Sequence, residues 1–165
     1  MIFETQRLRI RLLTLNDLDS FHKMQSNPKV MQYADGEVND FIGHQKELLN
    51  LIDKYQNRNN DFWIYAIERK IDGVFVGTLA FVKDNADDEI GYRFLEEYWN
   101  KGYGLEVCKG ALAYCRKIGM KQLVAYCADE NKASIKILEK LNFKVVERFN
   151  TAINQLTETK YKIHL

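Results

Sequence analysis

The chain has 165 residues, 46% hydrophobic and 28% charged, with a formal net charge of +1. That is the balance of an ordinary globular domain long enough to bury a proper core, and it predicts one domain over residues 1–165. A charge this close to zero offers no strong field to nucleic acid or an anionic membrane, and no apolar run is long enough to span a bilayer. With no export signal at the N-terminus, the expected setting is the cytoplasm, with no nucleic-acid or membrane partner.

Residues 7–13 alternate well enough for a first strand. Thr14 or Asn16 can cap a helix whose apolar stripe includes Leu18, Phe21 and Met24. Asn27-Pro28 breaks that helix, and Val30, Met31 and Tyr33 begin a short second piece. Residues 39–55 predict an amphipathic helix facing inward through Phe41, Leu48, Leu49, Ile52 and Tyr55. The period then changes to two. Residues 62–68 and 74–82 read as strands around an Asp72-Gly73 turn, a turn follows over 84–88, and 89–95 is the third strand of a meander.

Gly102-Tyr103-Gly104 comes next, between that strand and a helix expected over 105–117 with Gly119 as its C-cap. A glycine turn opening a helix directs backbone N–H groups toward one point at the positive end of the helix dipole, which is an anion site needing no particular side chain. Two familiar phosphate motifs are absent. No pair of glycines has the P-loop spacing with its Lys and Ser/Thr, and Val107 stands where a Rossmann fingerprint needs its third glycine. Residues 122–127 read as a strand. Asn131 caps a last helix that runs to Leu141, with Asn142 suited to the left-handed position after it. Strands over 143–149 and 158–165 close the chain, giving a mixed α/β class.

Cys108, Cys115 and Cys127 contain no CxxC pair, and an odd count without an export signal points to reduced, buried thiols. His22, His44 and His164 are scattered, so no metal site is expected, and no nucleophile triad shows in the sequence.

The element order, with its glycine turn after the fourth strand, resembles the GNAT superfamily of acyl-CoA-dependent N-acetyltransferases. Glu4-Thr5-Gln6-Arg7-Leu8-Arg9-Ile10-Arg11, Asp17-Leu18 and Asn27-Pro28-Lys29-Val30-Met31 are similar to its ribosomal-protein N-terminal acetyltransferase-like subgroup. So are Glu89-Ile90-Gly91-Tyr92 and Tyr98-Trp99-Asn100-Lys101-Gly102-Tyr103-Gly104-Leu105-Glu106. Asn131-Lys132-Ala133-Ser134, leading to Glu139-Lys140-Leu141-Asn142-Phe143, resembles the family's second cofactor motif.

The resemblance implies a mostly antiparallel central sheet, flanked by helices, whose central strands splay. It implies acetyl-CoA as co-substrate, no metal, an amine-bearing acceptor (a protein N-terminus or a small molecule), and room for a homodimer. Trp99 stands at the first position of the family's pyrophosphate motif, and Gly102 and Gly104 match its glycines. By resemblance, the N–H groups of Asn100, Lys101, Gly102, Tyr103, Gly104 and Leu105 bind the pyrophosphate. Tyr92, Arg93 and Phe94 pair with the pantetheine arm, an N–H near Phe94 faces the thioester carbonyl, and Asn131 lies beside the arm.

An amine must lose a proton before it attacks, and Glu89 is the first choice to take it. Asp88 is the alternate, should a bulge in this strand turn it to the cleft. Leu138 occupies the position where many members have an acid Tyr, which leaves Ser134, one turn earlier, as donor to the leaving thiolate. A CoA-binding regulatory or interaction module without catalysis is the alternative class.

Overall fold

The computed structural model describes residues 1–34, 39–151 and 156–165. Segments 16–55 and 150–157, which the family resemblance implies flank the acceptor, lie partly outside the described residues. The chain begins with strands β1 (Phe3–Glu4) and β2 (Leu8–Leu12), followed by helices α1 (Leu18–Gln25), α2 (Pro28–Met31) and α3 (Phe41–Lys54). Strands β3 (Phe62–Arg69), β4 (Val74–Asp84) and β5 (Asp87–Phe94) form the meander. Helix α4 (Tyr103–Lys117), strand β6 (Gln122–Ala128), helix α5 (Lys132–Lys140) and strands β7 (Lys144–Asn150) and β8 (Thr157–His164) complete it. The eight strands make one sheet in the order β1-β2-β3-β4-β5-β6-β8-β7.

Local chemistry sets the helix ends. Asn27, Asp40 and Asn131 each accept a first-turn N–H, from Lys29, Gly43 and Ser134 at 2.9, 2.7 and 3.2 Å. Gly119 and Asn142 stop α4 and α5 at φ +84° and +63°, the left-handed conformation expected of them. Asp17 is buried where the chain enters α1; it accepts the Thr14 N–H and a two-pronged bond from Arg11, each at 2.8 Å. Arg11 also reaches Glu68 at 2.7 Å, which ties this corner to β3.

The sheet divides two cores. On one face α4 lays Val107, Cys108, Ala111, Leu112 and Cys115 against Ile10, Ile67, Leu79 and Leu123. On the other, Phe21 and Met24 of α1 and Leu48 and Leu51 of α3 pack on Ala66, Phe75 and Leu95. The three cysteines are buried and unpaired, and burial pushes each thiol up to about 12, so they pack rather than react.

Three expectations need correction. The inward face of α3 is His44, Leu48 and Leu51, whereas Phe41 and Leu49 are exposed; the core approaches that helix one side over from the stripe that hydrophobicity alone selected. The turn after β4 contains only Asn85 and Ala86, with Asn85 at φ +52°, so β5 starts at Asp87. Register shifts fall at Ile67/Glu68 between β3 and β4 and at Val145/Glu147 between β7 and β8, while the β4–β5 register runs unbroken from Asp84↔Asp87 to Gly77↔Phe94. Nothing in β5 therefore turns Asp88 toward the side Glu89 occupies.

Gly77 is where β4 and β5 approach most tightly. A β-carbon there would stand 2.1 Å from the Arg93 carbonyl oxygen and 3.0 Å from the Phe94 Cα, both backbone atoms. We expect Gly77→Ala to destabilise the fold by about 2–4 kcal/mol, since neither strand can yield without breaking its ladder. Urea unfolding measures it, and a midpoint equal to that of the wild type would refute the close approach.

Candidate active site

Among the described residues, strands β5 and β6 are the only parallel neighbours in the sheet, and they pair at a single position, Glu89↔Val124. Each is held firmly on its other side, β5 by β4 and β6 by β8. Past Glu89 and Val124 the two strands part. A cleft of about 730 Å³ occupies the opening and reaches both faces of the sheet. On the α1/α3 face it is lined by Glu89, Gly91 and Arg93 with Thr78 and Ala80; on the other it reaches Tyr92, Cys127, Asn131, Ser134 and Leu138.

The ladder also decides where the β5 backbone points. Leu95 N–H donates to Val76 C=O at 3.0 Å, so alternation turns the N–H groups of Phe94 and Tyr92 away from β4 and toward the gap. The Phe94 carbonyl faces the same way and accepts the Trp99 indole N–H at 2.9 Å. An amide-bearing chain can take the place of the missing neighbour along this edge.

The glycine turn stands at the end of that edge. Asn100 and Gly102 are left-handed at φ +58° and +78°, and no side chain caps α4, which starts at Tyr103 rather than at 105 as expected, with Gly102 as N-cap. The N–H groups of its first turn, including Tyr103, Gly104 and Leu105, have no partners within the helix. The turn is braced from behind by Arg7, which pairs with Glu106 at 2.6 Å, donates to the Lys101 carbonyl at 3.0 Å and stacks over Tyr103 at 4.6 Å. The Lys101 ammonium lies over the Tyr98 ring at 5.2 Å, and the Tyr103 side chain belongs to the core.

Acidic groups around the mouth separate into two kinds. Lys160 and Tyr126 donate to Asp84 at 2.8 and 2.6 Å and hold its carboxyl below the usual range; Lys162 does the same for Asp87 at 3.1 Å. Among the described residues no cation forms an ion pair with Glu89, and the charge of Lys160 offsets its burial only in part. Burial, joined by the charges of Asp84 and Glu158, pushes its carboxyl up to about 7. Asp88 is drawn to Lys83 at 3.1 Å and does not line the cleft.

Asn131 both caps α5 and lines the cleft. Ser134 follows it and shares a 3.1 Å hydrogen bond with the Tyr92 hydroxyl. Arg93 donates to Gln25 at 2.9 Å, and Gln25 donates to Glu47 at 3.2 Å, so β5, α1 and α3 are linked across the floor of the cleft. Sequence reasoning missed Gln25, Glu47 and the Arg7 brace. It also treated His22 and His44 as scattered, although their Nδ1 atoms lie 2.8 Å apart between α1 and α3. Only the packing of two helices brings these together, and no local motif signals it. Among the described residues no His, Cys, Asp or Glu cluster is placed to hold a metal, and no helix is long and apolar enough to cross a membrane.

Comparison with known proteins bears on the family and the fold. The acetyltransferase (GNAT) domain profile matches residues 7–144. The N-acetyltransferase YoaA of Bacillus subtilis (strain 168), itself uncharacterised, is 28% identical over 148 residues, which are 87% of this chain and 82% of that protein. A GNAT-family acetyltransferase from Bacillus anthracis shares the fold with a TM-score of 0.86 at 24% identity, covering 98% of this chain and 97% of its own. A ribosomal L7/L12 α-N-protein acetyltransferase solved with coenzyme A shares it with a TM-score of 0.82 at 16% identity, covering 98% and 96%. With its sheet, its parted central strands and its profile match in agreement, the chain belongs to the GNAT acetyltransferase family.

Proposed function

We propose that residues 1–165 act as one acetyltransferase domain that moves the acetyl group of acetyl-CoA directly to a primary amine. The observation that carries this reading is the parting of β5 from β6 beyond Glu89 and Val124, with an uncapped helix N-terminus at one end and a carboxyl titrating near neutrality at the other. The residues fit the coenzyme. First-turn N–H groups and the left-handed Asn100 and Gly102 suit a pyrophosphate, and the outward N–H groups of Tyr92 and Phe94 suit an amide arm.

Acetyl-CoA, when bound, supplies an acetyl group already activated as a thioester, so the protein needs no covalent nucleophile. The chain's own part is to hold, orient and manage protons. The Phe94 N–H is directed to where negative charge would develop on a carbonyl oxygen in the gap. Glu89 lies on the α1/α3 face, near neutrality, and takes the proton that the acceptor amine must lose. Ser134 supplies the hydroxyl on the opposite face, since Leu138 offers none. Around the acceptor side Glu47, Glu89 and Glu158 outnumber Arg93, which suits an amine. The subgroup motifs favour a protein α-amine over a small-molecule acceptor, and the reduced thiols suit the cytoplasm.

Thiol release from acetyl-CoA with a panel of amines and N-terminal peptides tests the reading. Transfer to at least one acceptor is expected. Acetyl-CoA that raises Tm without any thiol release would favour a non-catalytic CoA-binding module. Glu89→Gln should lower kcat about 10²–10⁴-fold. In the wild type kcat/KM should rise with pH through a limb near 7, because the base works deprotonated.

The same group predicts a stability slope. Its carboxyl titrates near 7 when folded against an ordinary 4.5, so the unfolded chain loses that proton first. Stability is therefore lost as pH rises from about 4.5 to 7 and is level above that. Relative to Glu89→Gln, the wild type should lose about 1–3 kcal/mol across that window, measured by urea unfolding at each pH. Parallel profiles would refute the raised carboxyl.

Gly102→Ala probes the turn. A left-handed alanine costs about 1 kcal/mol, and the strain should reorient the N–H groups. Calorimetry should show coenzyme affinity reduced about tenfold or more, with only a small loss of Tm.

A further inference from the structure

The Tyr92 side chain leaves β5 on the face opposite Glu89 and Arg93 and ends at Ser134, 42 residues away in sequence. Its ring sits beside Phe94, centroids 5.9 Å apart, beneath the first turn of α4. A β-carbon on Gly104 would stand 3.4 Å from Tyr92 Cε2 and 3.5 Å from its hydroxyl. Ile137 Cδ1 is nearer still, at 2.9 Å, so Gly104 lies directly against Ile137 of α5 with the tyrosine at ordinary contact beside it. Burial raises the Tyr92 phenol above its ordinary range, so it keeps its proton at neutral pH.

The Ser134 hydroxyl has no other hydrogen-bond partner among the described residues. A phenol is the stronger donor of the two, so the favoured order has Tyr92 O–H donating to Ser134 Oγ. The serine's own hydrogen is then left over and turned into the cleft that both residues line. Leu138, one turn further along α5, contributes only hydrocarbon.

Resting on the acetyl-transfer reading above, we propose that Tyr92 is a positioning residue for the leaving group. It fixes Ser134 so that the serine O–H donates a hydrogen bond to the sulfur of the coenzyme. As the amine nitrogen bonds to the acetyl carbonyl carbon and the C–S bond breaks, its electron pair would stay on sulfur, the amine's proton would go to Glu89, and Ser134 and Tyr92 would keep theirs. The bond to sulfur favours thiolate over thiol, so it has a signature that needs no turnover.

The experiment is an ultraviolet titration of coenzyme A thiolate bound to the full chain. The bound thiol should titrate about one pH unit lower in the wild type than in Tyr92→Phe, which keeps the ring and removes only the hydroxyl; one unit is a factor of ten. Ser134→Ala should show the same rise, and the double variant no more. In turnover, Tyr92→Phe should lower kcat about tenfold with the KM for acetyl-CoA within twofold. In the Ser134→Ala background it should change kcat less than twofold. Equal thiol titration in the wild type and Tyr92→Phe, or effects that multiply in the double variant, would overturn the assignment. Because the titration reads bound thiol without an acceptor, a shifted thiol beside absent transfer would tell against acetyl transfer and not against the hydrogen bond.

Discussion

Two parallel strands that meet at one residue pair and then separate create a problem for the backbone between them. Buried N–H and C=O groups need partners, and a sheet ordinarily supplies them from the next strand. Here β5 is committed to β4 along an unbroken register and β6 to β8 along another, so neither can bend to close the gap. The Phe94 carbonyl is met by the Trp99 indole, but the gap-facing N–H groups of Tyr92 and Phe94 must be met by something else. That constraint gives the fold its cleft, opens a passage from one face of the sheet to the other, and aligns the passage with the start of α4.

The two faces then take different chemistry. On the α1/α3 side, lysines hold Asp84 and Asp87 ionised while Glu89, lacking such a partner, is pushed up by burial. Carboxyl groups a few residues apart thus separate into fixed charges and one that exchanges a proton near neutrality. On the α4/α5 side the lining is apolar and thiol-bearing apart from Asn131, Ser134 and the Tyr92 hydroxyl. The proposed proton acceptor and the proposed hydrogen bond to the leaving sulfur fall on opposite sides of the sheet because β5 alternates: odd positions 89, 91 and 93 one way, Tyr92 the other.

Much of this was legible beforehand because it is written in local pattern. Period-two runs marked the meander, helical spacing marked α3 and α4, and Asn131 was recognisable as a cap from its own chemistry and its neighbours. The glycine turn was legible as the opening of α4 because backbone conformation there depends on the residues themselves. The short β1 was not, since two residues carry no period and exist as a strand only through pairing with β2. The buried face of α3 was misjudged for a related reason. Hydrophobic residues outnumber the buried positions on that helix, and only the direction of approach of the sheet selects His44 over Phe41.

By itself, the sequence determined the order and kind of the elements, the helix caps, the glycine turn and the membership of Glu89, Tyr92 and Ser134 in motifs of one family, because each depends on neighbours within a few positions. Tertiary structure alone decided which of Asp88 and Glu89 faces the cleft, that burial raises the Glu89 carboxyl, and that Tyr92 meets Ser134 while Arg7 braces the turn. Those outcomes follow from strand register and helix packing, where a shift of one residue reverses a side chain's face, and no stretch of local sequence encodes the distance between two segments brought together by the fold.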